Sequence, residues 1–134
     1  MKRVLIVDDN AIVTRSIRAV LTRSTNYVIR VVNDSRSANA AALEFEPHVI
    51  VMDINMPHKD GPSVASELRI DKRTRDIPIV FLSAMCSQSD QVLSPGHDGR
   101  DLLMAKPFDL KTFVTVIRDL LQGDRCKKSM LVAQ

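Results

Sequence analysis

The sequence has only two cysteines, Cys86 and Cys126, and no apolar run approaching the roughly 20 residues that a membrane-spanning helix needs. The cysteines lack the spacing of a metal site, so we interpret them as reduced thiols of a cytoplasmic protein. The N-terminus enters an apolar run at Val4 and leaves no room for a cleavable signal peptide, so export is not expected. These absences favour a globular, cytoplasmic protein.

The length of 134 residues fits one domain, because domains most often contain about 100–150 residues. The net charge of +3 is compatible with a nucleic-acid partner. The cations are scattered, however, as at Arg15, Arg18, Arg73 and Arg118, and we interpret them as a solvated surface. We therefore expect neither a membrane nor a nucleic acid to be a partner of this domain.

Short apolar runs alternate with helical patterns along the chain. The runs that predict strands cover residues 4–7, 27–32, 49–52, 77–82 and 102–104. Strands that alternate with helices form a parallel sheet covered on both faces. We predict a three-layer α/β/α domain over residues 1–122, followed by a C-terminal tail or linker stub over residues 123–134.

Two helices have clear start signals, and one has a break. Asp34 or Ser35 is expected to begin the second helix, and Asp109 the last one. Between the last two predicted strands, the Ser-Pro-Gly sequence at residues 94–96 removes a backbone donor and adds backbone entropy. We predict that any helix in this connection is short or irregular, and that residues 88–93 can form only a short one.

Polar residues stand where the predicted strands end. Asp8 and Asp9 follow the first strand, Asp53 the third and Lys106 the fifth, and Ser83 ends the fourth. Each has an ordinary explanation by itself, since an aspartate can cap a helix and most lysines are surface residues. Parallel strands, however, end together at the edge where open α/β sheets bind ligands. The combination therefore predicts a site.

The chemistry of this predicted site is that of phosphoryl transfer. Two carboxylates about 4 Å apart repel each other by roughly 4 kcal/mol at an effective dielectric constant near 20. Mg²⁺ relieves that repulsion, because it accepts a few carboxylates, keeps waters and bridges phosphate oxygens. Asp53 can then act as a carboxylate nucleophile, while Lys106 and backbone N–H groups neutralise the phosphoryl oxygens.

Five segments together identify a family. They are Val4-Leu5-Ile6-Val7-Asp8-Asp9-Asn10, Met52-Asp53-Ile54-Asn55-Met56-Pro57, Asp60-Gly61, Ile77-Pro78-Ile79-Val80-Phe81-Leu82-Ser83-Ala84 and Lys106-Pro107-Phe108. A chain with these segments resembles the response-regulator receiver domain of two-component signalling, and its length is closest to the single-domain chemotaxis type. The resemblance implies a flavodoxin-like, five-stranded parallel sheet in the order 2-1-3-4-5.

The resemblance also implies a role for each acidic position. Asp53 matches the phosphoacceptor, and Asp9 matches the carboxylate that binds Mg²⁺ directly. Asp8 matches the neighbour that usually acts through water. Asn55 matches the position whose backbone carbonyl completes the metal site.

Further roles concern the phosphoryl group. Ser83 matches the switch hydroxyl, and Ala84 matches the small residue whose backbone N–H reaches a phosphoryl oxygen. Lys106 matches the phosphate-pairing lysine, whose bond to Pro107 is cis in this family. Gly61 matches a turn glycine after the acceptor.

Two features depart from the family pattern. Leu103 stands where the family usually has Tyr or Phe, the aromatic that rotates inward as the switch hydroxyl moves. The break at residues 94–96 also interrupts the helix that normally contributes to the output surface. These departures put the usual route of signal output in doubt.

The function we expect is a phosphorylation-controlled switch. A histidine kinase or phosphotransfer protein would donate a phosphoryl group to Asp53 in the presence of Mg²⁺, and the affinity for an unknown output protein or domain would change. The domain would assist its own phosphorylation and dephosphorylation without being an enzyme for an external substrate.

Three alternatives remain open on sequence. A degenerate receiver that binds a partner constitutively would agree with Leu103 but not with the intact acidic residues. An aspartyl-nucleophile phosphatase of the haloacid-dehalogenase class usually has Asp-x-Asp after the first strand, whereas Asp8 and Asp9 are adjacent. A flavodoxin-like electron carrier would need a Ser/Thr/Gly-rich loop at the same place.

Overall fold

A computed structural model describes residues 1–83, 92–93, 101–105 and 109–122. Its strands are β1 (Arg3–Val7), β2 (Val28–Val32), β3 (Val49–Asp53), β4 (Ile79–Ser83), β5 (Val92–Leu93) and β6 (Asp101–Ala105). Its helices are α1 (Ala11–Ser24), α2 (Ala38–Phe45), α3 (Gly61–Ile70) and α4 (Leu110–Gln122). The predicted alternation of strands and helices is confirmed.

The strands form one sheet in the order β2-β1-β3-β4-β6-β5. The first five in this order are parallel, and β6 is the fifth strand of the sequence prediction, so the predicted order 2-1-3-4-5 is confirmed. The two-residue β5 adds an antiparallel edge beside β6.

The short strand β5 corrects one part of the prediction. Val92 and Leu93 were expected to end a short helix, but they pair with Met104 and Leu103 of β6. The open edge of β6 offers backbone hydrogen bonds that local sequence does not reveal, and valine is favoured in strands. The remainder of the predicted fourth helix, with Pro95 and Gly96, lies outside the described residues.

Alternation along the strands divides the core between the two faces of the sheet. Val4 and Ile6 face a cluster with α1 and α4, whereas Leu5 and Val7 face a cluster with α2 and α3. The central strand β3 is buried along its whole length. A strand buried on both faces is the pattern of a parallel α/β sheet. The helices therefore cover both faces and leave the carboxyl ends of the strands at one edge.

Local capping sets where the helices begin. Asn10 caps α1 by accepting hydrogen bonds from the N–H groups of Ile12 at 2.9 Å and Val13 at 3.3 Å. The predicted cap of the last helix is confirmed, since an Asp109 oxygen lies 3.3 Å from the Thr112 nitrogen. The second helix differs slightly from expectation, because its first turn, Ser35–Ser37, is a 3₁₀ helix.

None of the helices in the described ranges is both long and apolar enough to cross a membrane.

At the amino-terminal ends of the strands, just before β3, lies a histidine whose protonation the fold opposes. Nδ1 of His48 accepts a hydrogen bond from the Arg3 N–H at 2.9 Å. Burial, together with the charges of Arg3, Lys2 and the N-terminus, lowers the pKa of His48 below 6.5. The unfolded chain therefore binds this proton more readily than the folded protein. The stability should fall as the pH decreases below about 6.5, until the pH passes the folded pKa.

A variant isolates this effect. Gln at position 48 retains a neutral acceptor for the Arg3 N–H but does not titrate, so His48→Gln should lose less stability than the wild type between about pH 7.5 and 5.5. Urea unfolding across this range measures the difference. The control is His58→Asn, because His58 is exposed with φ of 73° and asparagine tolerates that backbone region. Equal pH slopes in His48→Gln and the wild type would contradict the assignment.

Candidate functional site

The structure brings the three predicted aspartates together. One carboxylate oxygen from each of Asp8, Asp9 and Asp53 lies within 4.8 Å of the others. Asp8 and Asp53 are buried, with exposures of 1% and 8%, whereas Asp9 is exposed. The cluster is therefore an acidic site with two buried carboxylates and one that faces solvent.

The register of the sheet explains why these residues meet. β1 and β3 are parallel neighbours with Val7 opposite Met52, so the residue that follows each partner is an aspartate at the same edge. Backbone hydrogen bonds continue just beyond the strands, from the N–H of Asp8 to the Val32 carbonyl at 3.1 Å and from that of Ile54 to the Leu82 carbonyl at 3.0 Å. The backbone on which the cluster stands is thereby fixed.

Helix capping does not explain the presence of Asp8 and Asp9, because the residue after them caps α1. Asn10 is the side chain that caps α1. Asp8 Oδ1 instead accepts a hydrogen bond from the Asn10 N–H at 2.9 Å. Neither Asp8 nor Asp9 is the N-cap residue of α1, so their position at the sheet edge requires another reason.

Two residues that support the site were not predicted from the sequence. Asn33 follows β2, and its Nδ2 donates to the Asp8 carbonyl at 2.8 Å and to Thr14 Oγ1 at 3.2 Å. Thr14 is buried in α1. Together they join the end of β2 to the Asp8 backbone and to the first turns of α1. The sequence signal that could have identified Asn33 is its position: it is an amide side chain that directly follows a predicted strand, at the same edge of the sheet as the aspartates.

Gly61 is where α3 approaches the acceptor strand most closely. Its N–H donates to the Ile54 carbonyl at 2.8 Å, and a Cβ at this position would lie 2.6 Å from the Asp53 carbonyl oxygen. The predicted turn glycine is thus the first residue of α3, and it is needed for close packing. The loop between β3 and α3 is also held by the Ser35 hydroxyl, which donates to the Pro57 carbonyl at 2.9 Å.

We expect Gly61→Ala to destabilise the protein by about 1–3 kcal/mol, because the added methyl group forces the backbone of β3 and α3 apart. The displacement would also move Asp53 within the cluster, so the affinity for Mg²⁺ should fall. Chemical denaturation and a Mg²⁺ titration measure the two effects. Ser66→Ala, on an exposed position of α3, is the control. Wild-type stability in Gly61→Ala would show that the contact is not restrictive.

Among the other predicted residues, Ser83 is described fully. It is the last residue of β4, is 2% exposed and stands opposite Ala105 of β6. Asn55 is exposed in the loop after β3. For Leu103 the structure describes the backbone within β6. The predictions for Ala84, Lys106 and Pro107 fall on residues outside the described ranges.

The donor set fits Mg²⁺. Three carboxylates this close, two of them buried, repel one another unless a cation or protons offset their charge. A hard cation with oxygen ligands does so without protonating them, and Mg²⁺ suits a site with a few carboxylates and water. Asp8, Asp9 and Asp53 are the residues that would hold it.

The chain is similar in sequence to known proteins. A family model described as the response regulator receiver domain matches residues 4–118. The transcriptional regulatory protein PrrA of Mycobacterium bovis is 38% identical over 120 residues, which are 90% of this chain and 50% of PrrA. Protein PilH of Pseudomonas aeruginosa is 31% identical over 123 residues, which are 92% of this chain and 100% of PilH.

A solved structure extends the similarity to the fold. The receiver domain of the sensor histidine kinase PA1611 from Pseudomonas aeruginosa has a TM-score of 0.75 and is 28% identical, with 90% of this chain and 98% of that chain covered. It was determined with a magnesium ion coordinated in its active-site cleft. The chain spans about half the length of the first curated relatives that it matches.

Proposed function

The chain belongs to the response regulator receiver domain family, and from this premise we propose that it is a signalling switch controlled by phosphorylation of Asp53. The observation that supports the proposal most strongly is the convergence of three carboxylates within 4.8 Å at the carboxyl edge of the sheet. Asp53 ends the central strand there and is buried except for 8% of its surface.

The proposed reaction needs little beyond positioning. A carboxylate oxygen of Asp53 bonds to the phosphorus of a phosphohistidine while the P–N bond breaks, and the electron pair leaves with the imidazole. Asp8, Asp9 and Asp53, with the backbone carbonyl of Asn55, would hold Mg²⁺. When bound, Mg²⁺ supplies the positive charge that offsets the carboxylates and the phosphoryl oxygens.

The switch then depends on residues at the ends of β4 and β6. A phosphoryl group on Asp53 presents new acceptor oxygens, towards which the buried hydroxyl of Ser83 can turn. Lys106 follows Ala105, the residue opposite Ser83, and is proposed to pair with the phosphoryl group, while the Ala84 N–H donates to it. Since this interaction exists in one state only, it shifts the equilibrium between conformations.

Partners follow from the same proposal. The donor is a histidine kinase or a histidine phosphotransfer protein, and the receiver of the signal is an output protein or domain in the cytoplasm. PrrA is named a transcriptional regulator and is about twice as long as the matched region, whereas PilH is matched over its whole length. Both an attached output domain and a separate output protein are therefore compatible with the match.

A second candidate function is that of a receiver that binds its partner regardless of phosphorylation. Leu103 favours it, because leucine has no phenol and a smaller side-chain surface than the aromatic residue usual at this position. The acidic cluster favours the switch. A fold gains nothing in stability from gathering three carboxylates, two of them buried.

Phosphotransfer profiling tests the proposal. Purified histidine kinases of the source organism, autophosphorylated with labelled ATP, are mixed with this protein in the presence or absence of Mg²⁺. We expect rapid, Mg²⁺-dependent transfer from one or a few kinases to the wild type and none to Asp53→Asn. Absence of transfer from every kinase, or transfer that Asp53→Asn retains, would contradict the proposal.

A further inference from the structure

A groove of about 370 Å³ lies between α1 and α4, and its lining shares no residue with the acidic cluster. Val20 and Ser24 contribute from α1, and Leu110, Lys111, Val114 and Arg118 contribute from α4. Val114 lies three or four positions from each of Leu110, Lys111 and Arg118, so these α4 residues form one stripe along that helix.

The floor of the groove is apolar. Val20 and Val114 are partly buried and pack against the core cluster beneath the two helices. Leu110 is a large apolar side chain that is 44% exposed at one end of the groove. The groove therefore offers hydrophobic surface that a partner can cover.

Its rim is positively charged. Lys111 and Arg118 line the groove and are exposed, and Arg23 lies one turn along α1 from Val20. Helix α1 contains no acidic residue. Of the two aspartates closest in sequence on the α4 side, Asp109 bonds to Thr112 at the helix cap, and Asp119 is buried.

The ion pairs of the described residues bear on this charge. Several cations elsewhere on the surface have carboxylate partners, namely Arg30 with Glu44, Arg36 with Asp34, Lys59 with Glu67 and Arg73 with Asp71, whereas others, such as Lys72 and Arg75, have none among the described residues. Within the described part of the chain, no carboxylate forms an ion pair with Arg23, Lys111 or Arg118. The charge on this rim is left for a partner to neutralise.

We propose that this α1–α4 groove binds an acidic amphipathic helix of a partner protein. A helix laid in a groove places apolar side chains, three or four residues apart, against Val20, Leu110 and Val114. Acidic residues on its flanks meet Arg23, Lys111 and Arg118, which speeds association and sets specificity.

Other occupants fit the charges less well. A second copy would bring Lys111 and Arg118 against a face of the same sign. Residues 123–134 of this chain contain three cations and one acid, so they too are predominantly basic. Nucleic acid would satisfy the cations but would leave the apolar floor without a matching surface.

A designed peptide tests the proposal on the unphosphorylated protein without Mg²⁺, so the outcome does not depend on the phosphorylation chemistry. The probe is a helical peptide with leucines at every third or fourth position and glutamates on both flanks. We expect saturable binding that weakens as salt is added, with amide shifts centred on Val20, Leu110 and Val114. The double variant Lys111→Glu/Arg118→Glu should bind roughly tenfold or more weakly.

Matched controls separate the alternatives. Lys72→Glu/Arg75→Glu makes the same charge change at two other exposed sites and should bind the peptide like the wild type. Two control peptides should bind more weakly than the probe. One is a scrambled peptide of the same composition that lacks the leucine stripe, and the other has lysines in place of the glutamates. Equal binding of the scrambled peptide, equal losses in both double variants, tighter binding of duplex DNA at the groove, or self-association through it would each overturn the proposal.

Discussion

Asp53→Asn should abolish phosphorylation of this protein by acetyl phosphate, while the wild type gains one phosphoryl group per chain only when Mg²⁺ is present. Asparagine keeps the shape of the side chain but removes the carboxylate nucleophile. The other two aspartates should not substitute for it, because neither ends the central strand of the sheet. Intact-mass spectrometry measures the occupancy directly.

The same variant provides its own test of folding. Asparagine has nearly the shape of aspartate, and the change removes one of three carboxylates that repel one another within 4.8 Å, so Asp53→Asn should fold like the wild type, which circular dichroism measures. Loss of labelling in a folded protein then reports chemistry. Equal labelling of Asp53→Asn and the wild type would place the reaction at another residue.

Asp9→Ala should abolish Mg²⁺ binding, and Asp8→Ala should weaken it by roughly 10–100-fold. This is the range typical of residues that orient the metal ligands without binding the metal directly. The structure gives a reason for the difference. Asp8 is buried and its Oδ1 accepts the Asn10 N–H at 2.9 Å, whereas Asp9 is exposed beside it. An oxygen held by the backbone is less available as a direct ligand than one that faces solvent.

Calorimetric titration with Mg²⁺ measures both affinities. Asp71→Ala is the control, because Asp71 pairs with Arg73 at the surface and is not part of the acidic cluster. Wild-type affinity in Asp9→Ala, or a larger loss in Asp8→Ala, would reverse the assigned roles.

The features that the sequence predicted were those with a local signal. Apolar runs of three to six residues identified the parallel strands, and the aspartates after two of them marked the edge where the site lies. Because register in a parallel sheet is set by these same runs, the meeting of Asp8 and Asp53 could be predicted without coordinates.

The features that the sequence did not predict depend on residues far apart in the chain. Strand β5 forms because β6 has an open edge, and this pairing replaces the short helix that the family resemblance implied for Val92 and Leu93. The bond from Asn33 to the Asp8 carbonyl spans 25 positions and has no periodic signature. Gly61 was predicted as a turn residue, yet the 2.6 Å approach that requires glycine is visible only in three dimensions.

The most direct test of the switch is the amide NMR spectrum of the protein with Mg²⁺ before and after addition of beryllofluoride, a mimic of the phosphoryl group. We predict shifts at Ile54, Gly61 and Ser83, which lie beside Asp53 at the end of β3, the start of α3 and the end of β4, and we expect these shifts to disappear in Asp53→Asn. An unchanged wild-type spectrum, or the same shifts in Asp53→Asn, would contradict the claim that occupation of Asp53 controls the conformation of this domain.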